Sequence, residues 1–200
     1  MKGILTLIGH SSVKIITDQK TVIYIDPYFP GDYTEPADII LITHGHSDHN
    51  QLHLVTTTEN TIVIDYKLAL LNQTYQSFQI KDVKIDTVMA YNKNHSIKES
   101  VGYIISYDNI SIYHAGDTSM TTGMEQIQTR NLTYALYPCD GVWNMDAKEA
   151  TEAAEMVKAK HSIPMHTNAA LNHLDESIIA NFTPQGRLII PYGTSIELTD

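Results

Sequence analysis

The stretch Ile42–Asn50, ITHGHSDHN, places His44, His46, Asp48 and His49, four metal-capable side chains, within six positions. It overlaps the end of Asp38–Thr43, DIILIT, a short apolar run rich in β-branched residues that reads as a strand buried on both faces. Turn-forming polar residues alone would account for an exposed loop. Imidazoles and a carboxylate at the carboxyl end of a buried strand, however, stand where open α/β sheets present their chemistry. Neutral imidazole and carboxylate are also the usual ligands of zinc-like ions.

Ligands this close in sequence cannot all reach one ion at tetrahedral angles unless the short chain folds back on itself. Two ions relieve the conflict. His44 and His46, two residues apart, can point at a first ion while Asp48 and His49 turn toward a second. Ions about 3.5 to 4 Å apart can share a bridging hydroxide and clamp both attacking and leaving oxygens. Each ion then needs further ligands from elsewhere in the chain. Cys139 is the only cysteine, which excludes an intrachain disulfide and a Cys-rich zinc site. Among ten histidines, strand ends select His95, after TVMAY, and His166, after SIPM; Asp117 follows the strand ISIYH in the same way.

The pattern along the chain is one of alternating strands and helices. Ile4–Ile8, Val13–Thr17 and Thr21–Ile25 are β-rich runs, with DQK as a hairpin-like turn between the last two. After the histidine cluster a short helix is expected from about Asn50, then a strand over TIVID and a helix over KLALLNQTYQ. GYIIS, ISIYH, LTYALYP, SIPMH and GRLIIP read as further strands. Asp146 to Lys158 is the clearest helix: Asp146 and Glu149 form a D-x-x-E capping pattern, and Ala150, Ala153, Ala154 and Val157 make a small-residue face. This alternation argues for a layered α/β domain with sheets inside and helices outside.

Two hundred residues with 42% hydrophobic content suit one compact domain spanning 1–200. Thirteen basic against twenty-three acidic side chains, a formal charge of −10, repel polyanions, and no Lys/Arg cluster offsets this. Nucleic acid is therefore not an expected partner. The N-terminal apolar stretch is too short for a signal-peptide core or a membrane span, so a cytoplasmic protein acting on a small-molecule substrate is expected, without membrane association. Nothing in the sequence excludes a homo-oligomer.

THGHSDH resembles the H-x-H-x-D-H signature of the metallo-β-lactamase superfamily. GHSS near the start, YHAGDT and IPMH are similar to a subgroup of small bacterial metal-dependent hydrolases related to ascorbate-phosphate lactonase. The resemblance covers nearly the whole chain. It implies an αββα sandwich, two facing β-sheets with outer helices. It also implies that His44, His46 and His95 bind one metal, that Asp48, His49 and His166 bind a second, and that Asp117 bridges them. Two divalent ions are expected, Zn2+ by default, with Mn2+, Fe2+ or Ni2+ also compatible with His and Asp ligands.

His10 resembles the GHS histidine of that subgroup, which gives it a role beside the ligands or toward substrate, set against a structural hydrogen bond. Asp48 is assigned a second role in orienting the nucleophile. Asp26 in YIDPY is expected to orient the histidine loop or to cap a turn, as the matching residue of the resembled family does, set against an ordinary turn carboxylate. His114, three residues before Asp117, should face the opposite side of its strand as a buried structural residue. Tyr33, Trp143 and Tyr192 are candidates to wall a pocket, and Cys139 reads as a small buried residue. His53, His161 and His173 have no motif support.

The expected activity is hydrolysis of a small ester, lactone or phosphoester by a metal-bridging hydroxide. A non-enzymatic metal-binding or regulatory protein retaining the fold is the main alternative. A di-iron redox protein is a weaker one, since the flavodiiron cluster carries a carboxylate where this chain has His46.

Overall fold

The computed structural model describes residues 2–200. The first half runs β1 (Gly3–Gly9), β2 (Ser12–Thr17), β3 (Val22–Ile25), β4 (Ala37–Leu41) and β5 (Thr57–Ile64). A short helix α1 (Tyr66–Ala69) then leads to β6 (Leu70–Leu71), β7 (Thr74–Tyr75), β8 (Ser77–Ile80) and β9 (Val83–Met89). The second half continues with β10 (Val101–Tyr107), β11 (Ile110–His114), α2 (Gly123–Gln128), β12 (Tyr134–Pro138) and α3 (Ala147–Val157). It closes with β13 (His161–Met165), α4 (Glu176–Ile179) and β14 (Thr194–Glu197).

Two six-stranded sheets face each other, ordered β14-β1-β2-β3-β4-β5 and β13-β12-β11-β10-β9-β8. Their inner faces share one apolar core: Ile15, Ile23 and Leu41 from the first sheet meet Ile85, Ile112 and Leu136 from the second. Each such side chain, fully buried, contributes about 1.5–3 kcal/mol relative to exposure. The central strands β11 and β12 are buried on both faces, because the second sheet's outer side also carries an apolar cluster, including Tyr113, Ala135 and Tyr137. Against it pack Met124 and Ile127 of α2 and the alanine face of α3. The expected sandwich with outer helices is thus present. Helices α2 and α3 lie on the second sheet, while on the outer face of the first Tyr24 and Ile40 are covered by Tyr33, Val55 and Leu54 from loops and a 3-10 turn. Among the described residues no helix is long and apolar enough to cross a membrane.

Helix α3 starts as its sequence indicates, Asp146 accepting from the Glu149 amide at 2.8 Å. Glu149 does not return the bond: its carboxylate accepts from Met120 N at 2.8 Å and ties the helix to the loop after Asp117. Two expectations fail. KLALLNQTYQ forms one helical turn and then the β6–β7 hairpin, because Asn72 and Gln73 both take left-handed backbone angles (φ 51 and 62) that turn the chain back. GRLIIP is not a strand. Its residues run beside β13 through a single bridge, Ser162 to Arg187, and the strand that follows it, β14, was not expected and pairs with β1.

The topology decides where chemistry can sit. β3, β4 and β5 run parallel, as do β11, β12 and β13. Asp26, the His44–His49 loop, Asp117 and His166 each follow the carboxyl end of one of these strands, so one edge of the sandwich receives them all.

Candidate metal centre

The loop after β4 is fixed from beneath by Asp26. This carboxylate is fully buried and accepts from Thr43 N at 2.8 Å, Thr43 Oγ1 at 2.7 Å and His49 Nδ1 at 2.8 Å. Its backbone is left-handed (φ 47), as are those of His10 (φ 53) and His166 (φ 47). Strained backbones of this kind persist where surrounding structure over-determines them. The strain is distributed around one point.

Each of the central imidazoles has one ring nitrogen engaged by the protein and the other turned inward. His44 Nδ1 pairs with Thr43 Oγ1 at 3.0 Å, His49 Nδ1 with Asp26, and His95 Nδ1 with Asn92 Oδ1 at 2.9 Å. The Asp140 carboxylate lies 2.8 Å from His166 Nδ1. The inward nitrogens converge on Asp117, with His49 Nε2 3.5 Å from Oδ1 and His95 and His166 Nε2 each 3.4 Å from Oδ2. His44 Nε2 and His46 Nδ1 approach to 3.1 Å. Outer partners that fix tautomer and ring direction are what metal-ligating histidines need.

The chemistry of this donor set fits cations. His49 Nε2, His166 Nε2 and Asp117 Oδ1 are buried without a hydrogen-bond partner, an arrangement that is costly unless something else satisfies them. Ligand atoms fall into groups whose members lie within 4.8 Å of one another: His44, His46 and His95; His10, Asp48, His49 and His166; and His44, His49 and Asp117. The seven residues expected as ligands lie together at one edge of the sandwich, with His10 beside Asp48, His49 and His166, and Asp117 grouped with His44 and His49.

The electrostatics show what charge the site requires. Burial opposes protonation of His49, yet Asp117 and Asp26 hold its pKa well above the ordinary imidazole range. Burial likewise opposes charge on His166, but Asp117 and Asp140 raise it to about 9. Asp117 is buried too, and the facing His166 and His49 keep it ionised far below the usual carboxylate range. Burial and the charge on His49 push His44 down to about 3, leaving it a neutral donor. The buried carboxylates Asp117, Asp26 and Asp140 thus favour positive charge at His49 and His166.

His10 Nε2 is 3.3 Å from Asp48 Oδ2, and its ring lies against His166 with centroids 3.7 Å apart. His114 behaves as expected of a structural residue: Nε2 donates to Ser11 O at 2.9 Å and Nδ1 accepts from Gly116 N at 3.2 Å. Cys139 is buried. His53 and His173 are exposed, and His161 stacks on Tyr134 away from the centre. Of the aromatic candidates only Trp143 reaches the site. It lines a cavity of about 480 Å³ with Tyr28, Ser47, Asp48 and the ligand histidines. Tyr33 instead packs on Tyr24 at the outer face of the first sheet, and Tyr192 on Phe29.

Sequence reasoning missed Asn92, Asp140 and Tyr28. For Asp140 a signal existed: it lies just past the strand LYP, as Asp117 lies just past ISIYH.

A sequence profile of the Beta-lactamase superfamily domain matches residues 4–166. A UPF0173 metal-dependent hydrolase of Thermococcus onnurineus is 32% identical, over 80% of this chain and 83% of the relative. One from Pyrococcus furiosus is 32% identical, over 82% and 84%. A protein of known structure from Parabacteroides distasonis superposes with a TM-score of 0.77 at 26% identity, covering 93% of this chain and 91% of the other. With the histidine loop, Asp117 and His166 gathered at one edge of a two-sheet sandwich, these matches establish that the chain belongs to the metallo-β-lactamase superfamily.

Proposed function

We propose that this metal-dependent hydrolase works with two divalent cations on a small ester, lactone or phosphoester. His44, His46 and His95 would hold one ion and Asp48, His49 and His166 the other, with Asp117 reaching both. Zinc is the default ion, and a His/Asp donor set also accepts Mn2+, Fe2+ or Ni2+. The observation that carries this reading is the convergence of imidazole nitrogens whose opposite nitrogens are hydrogen-bonded to Thr43, Asp26 and Asn92 or, for His166, face the Asp140 carboxylate.

Bound ions of this kind lower the pKa of water and polarise the scissile group. The chain's own residues supply the rest. Asp48, partly exposed at the cavity, is placed to orient a water against the substrate and to accept its proton, with His10 holding the carboxylate at 3.3 Å. Asp117 offsets positive charge at the centre, and Asp26 and Asp140 keep two rings aimed inward.

The test is to strip the protein with a chelator, reload it with zinc and assay lactones, carboxylic esters, phosphodiesters and β-lactams. Turnover of a small substrate that disappears on stripping and returns on reloading is expected. Turnover indifferent to the chelator would contradict the reading, and zinc uptake without turnover of any class would favour a metal-binding role.

A further inference from the structure

Trp143 is the only tryptophan in the chain, and its side chain is 58% exposed, beside Val142 at 63%. Adjacent large apolar side chains left in water, one of them lining a cavity, form a small patch of the kind that ligand grooves carry, and a fixed backbone would present it at low ordering cost. Here it is held from several directions. Asp140 Oδ1 accepts from the amides of Val142 at 2.7 Å, Trp143 at 2.6 Å and Asn144 at 3.2 Å. The Trp143 carbonyl accepts from Asn92 Nδ2 at 2.9 Å and Asn94 Nδ2 at 3.0 Å. Gly141, at φ +69, closes the turn through its amide to Met145 O at 2.9 Å.

These anchors are shared with the metal centre. Asn92 also engages His95 Nδ1, and Asp140 also faces His166 Nδ1. The backbone that carries the indole is therefore registered against both groups of ligands, and the order a ligand would otherwise have to impose on the loop is already built in. The rest of the lining adds a second constraint. Among the described residues, neither the cavity with Trp143 and Asp48 nor the adjoining cleft with Tyr66 and Glu99 is lined by any Lys or Arg. Recognition of a dianionic phosphoryl head commonly adds such side chains to the metal ions, and none is placed here to do so.

We infer that Trp143 is a specificity-determining platform on which a planar apolar part of the substrate stacks, and that the substrate is an uncharged ester or lactone bearing such a group. This rests on the hydrolase reading above and narrows it. Stacking on a rigid aromatic favours flat groups through face and edge contacts as well as area. The carboxyl-derived head needs no cation beyond those at the centre.

The test uses the zinc-loaded full chain and two carboxylates with a common head, 1-naphthylacetate and acetate, so that contacts to the centre cancel. Zinc content is measured first. Wild type should bind 1-naphthylacetate about 10-fold or more tightly than acetate by calorimetry, with saturable quenching of the single tryptophan's fluorescence. Trp143→Ala should lose that preference while keeping its zinc, its melting temperature and its affinity for acetate. Trp143→Phe should retain most of it, which separates stacking from loop damage. 1-Naphthyl acetate should also be turned over with higher kcat/KM than 1-naphthyl phosphate. A zinc-loaded wild type without the preference, or a Trp143→Ala variant that keeps it, overturns the platform and leaves the metal centre standing. Faster turnover of the phosphate overturns the uncharged head. A protein that takes up no zinc removes the metal centre and this inference with it.

Discussion

Replacing Asp117 by alanine is expected to cost on the order of 100-fold or more in turnover, comparable to losing a preorganised electrostatic contact, while the fold survives. The carboxylate stands 3.4–3.5 Å from inward nitrogens of His49, His95 and His166, so its removal takes negative charge from both groups of ligands at once. Metal content should fall, with the group containing His49 and His166 emptying first. The sandwich should hold, since its core is apolar and lies between the sheets. His114→Ala provides the contrast. Both ring nitrogens of His114 serve the backbone at Ser11 and Gly116, so that variant should lose stability, by about 1–3 kcal/mol for the buried groups it strands, and keep its metal. Metal analysis, thermal melts and kinetics on the two proteins distinguish these outcomes. An Asp117→Ala protein with a full metal complement and normal turnover would mean that the centre is organised around other residues.

Asp26→Ala is expected to be the most destabilising change near the site. The carboxylate is fully buried, and its loss strands the Thr43 amide, the Thr43 hydroxyl and the His49 Nδ1–H together. Breaking a buried charge pair of this kind costs about 3–5 kcal/mol, which for a chain of this size lowers the melting temperature by on the order of 10 °C. Metal affinity should fall about 10–100-fold as well, because His49 loses the partner that fixes its ring. Asp26→Asn keeps the shape and should fall between the two. A melting temperature within 2–3 °C of wild type, about the shift produced by 1 kcal/mol, would contradict the role given to Asp26.

Much of this site is legible in the sequence for one physical reason: parallel strands deliver their carboxyl ends to a common edge. Ligand-type residues just past apolar runs, His44, Asp117 and His166, therefore meet. Strand alternation did not separate His114 from Asp117: β11 ends at His114, which lies on the inward side with Ile110 and Ile112, and its structural role comes from its bonds to Ser11 and Gly116. What could not be read is the outer partner of each ring, since the Asn92 to His95 and Asp140 to His166 contacts depend on loop geometry. The hairpin at Asn72–Gln73 was hidden by the helix-favouring KLALL before it, a local preference that tertiary pairing overrode. Edge strand β14 carries only Ile196 as a large apolar residue among Thr, Ser and Glu, too weak an alternation to stand out from a polar tail.

The most direct test of the central claim, two ions held by two groups of ligands, is metal stoichiometry by elemental analysis after mild zinc loading and removal of free ion. Wild type should hold two zinc ions per chain. His166→Ala, which takes one ligand from the second group and leaves His44, His46 and His95 intact, should hold one. A reproducible stoichiometry of one in wild type, unchanged by His166→Ala, would contradict the two-ion centre.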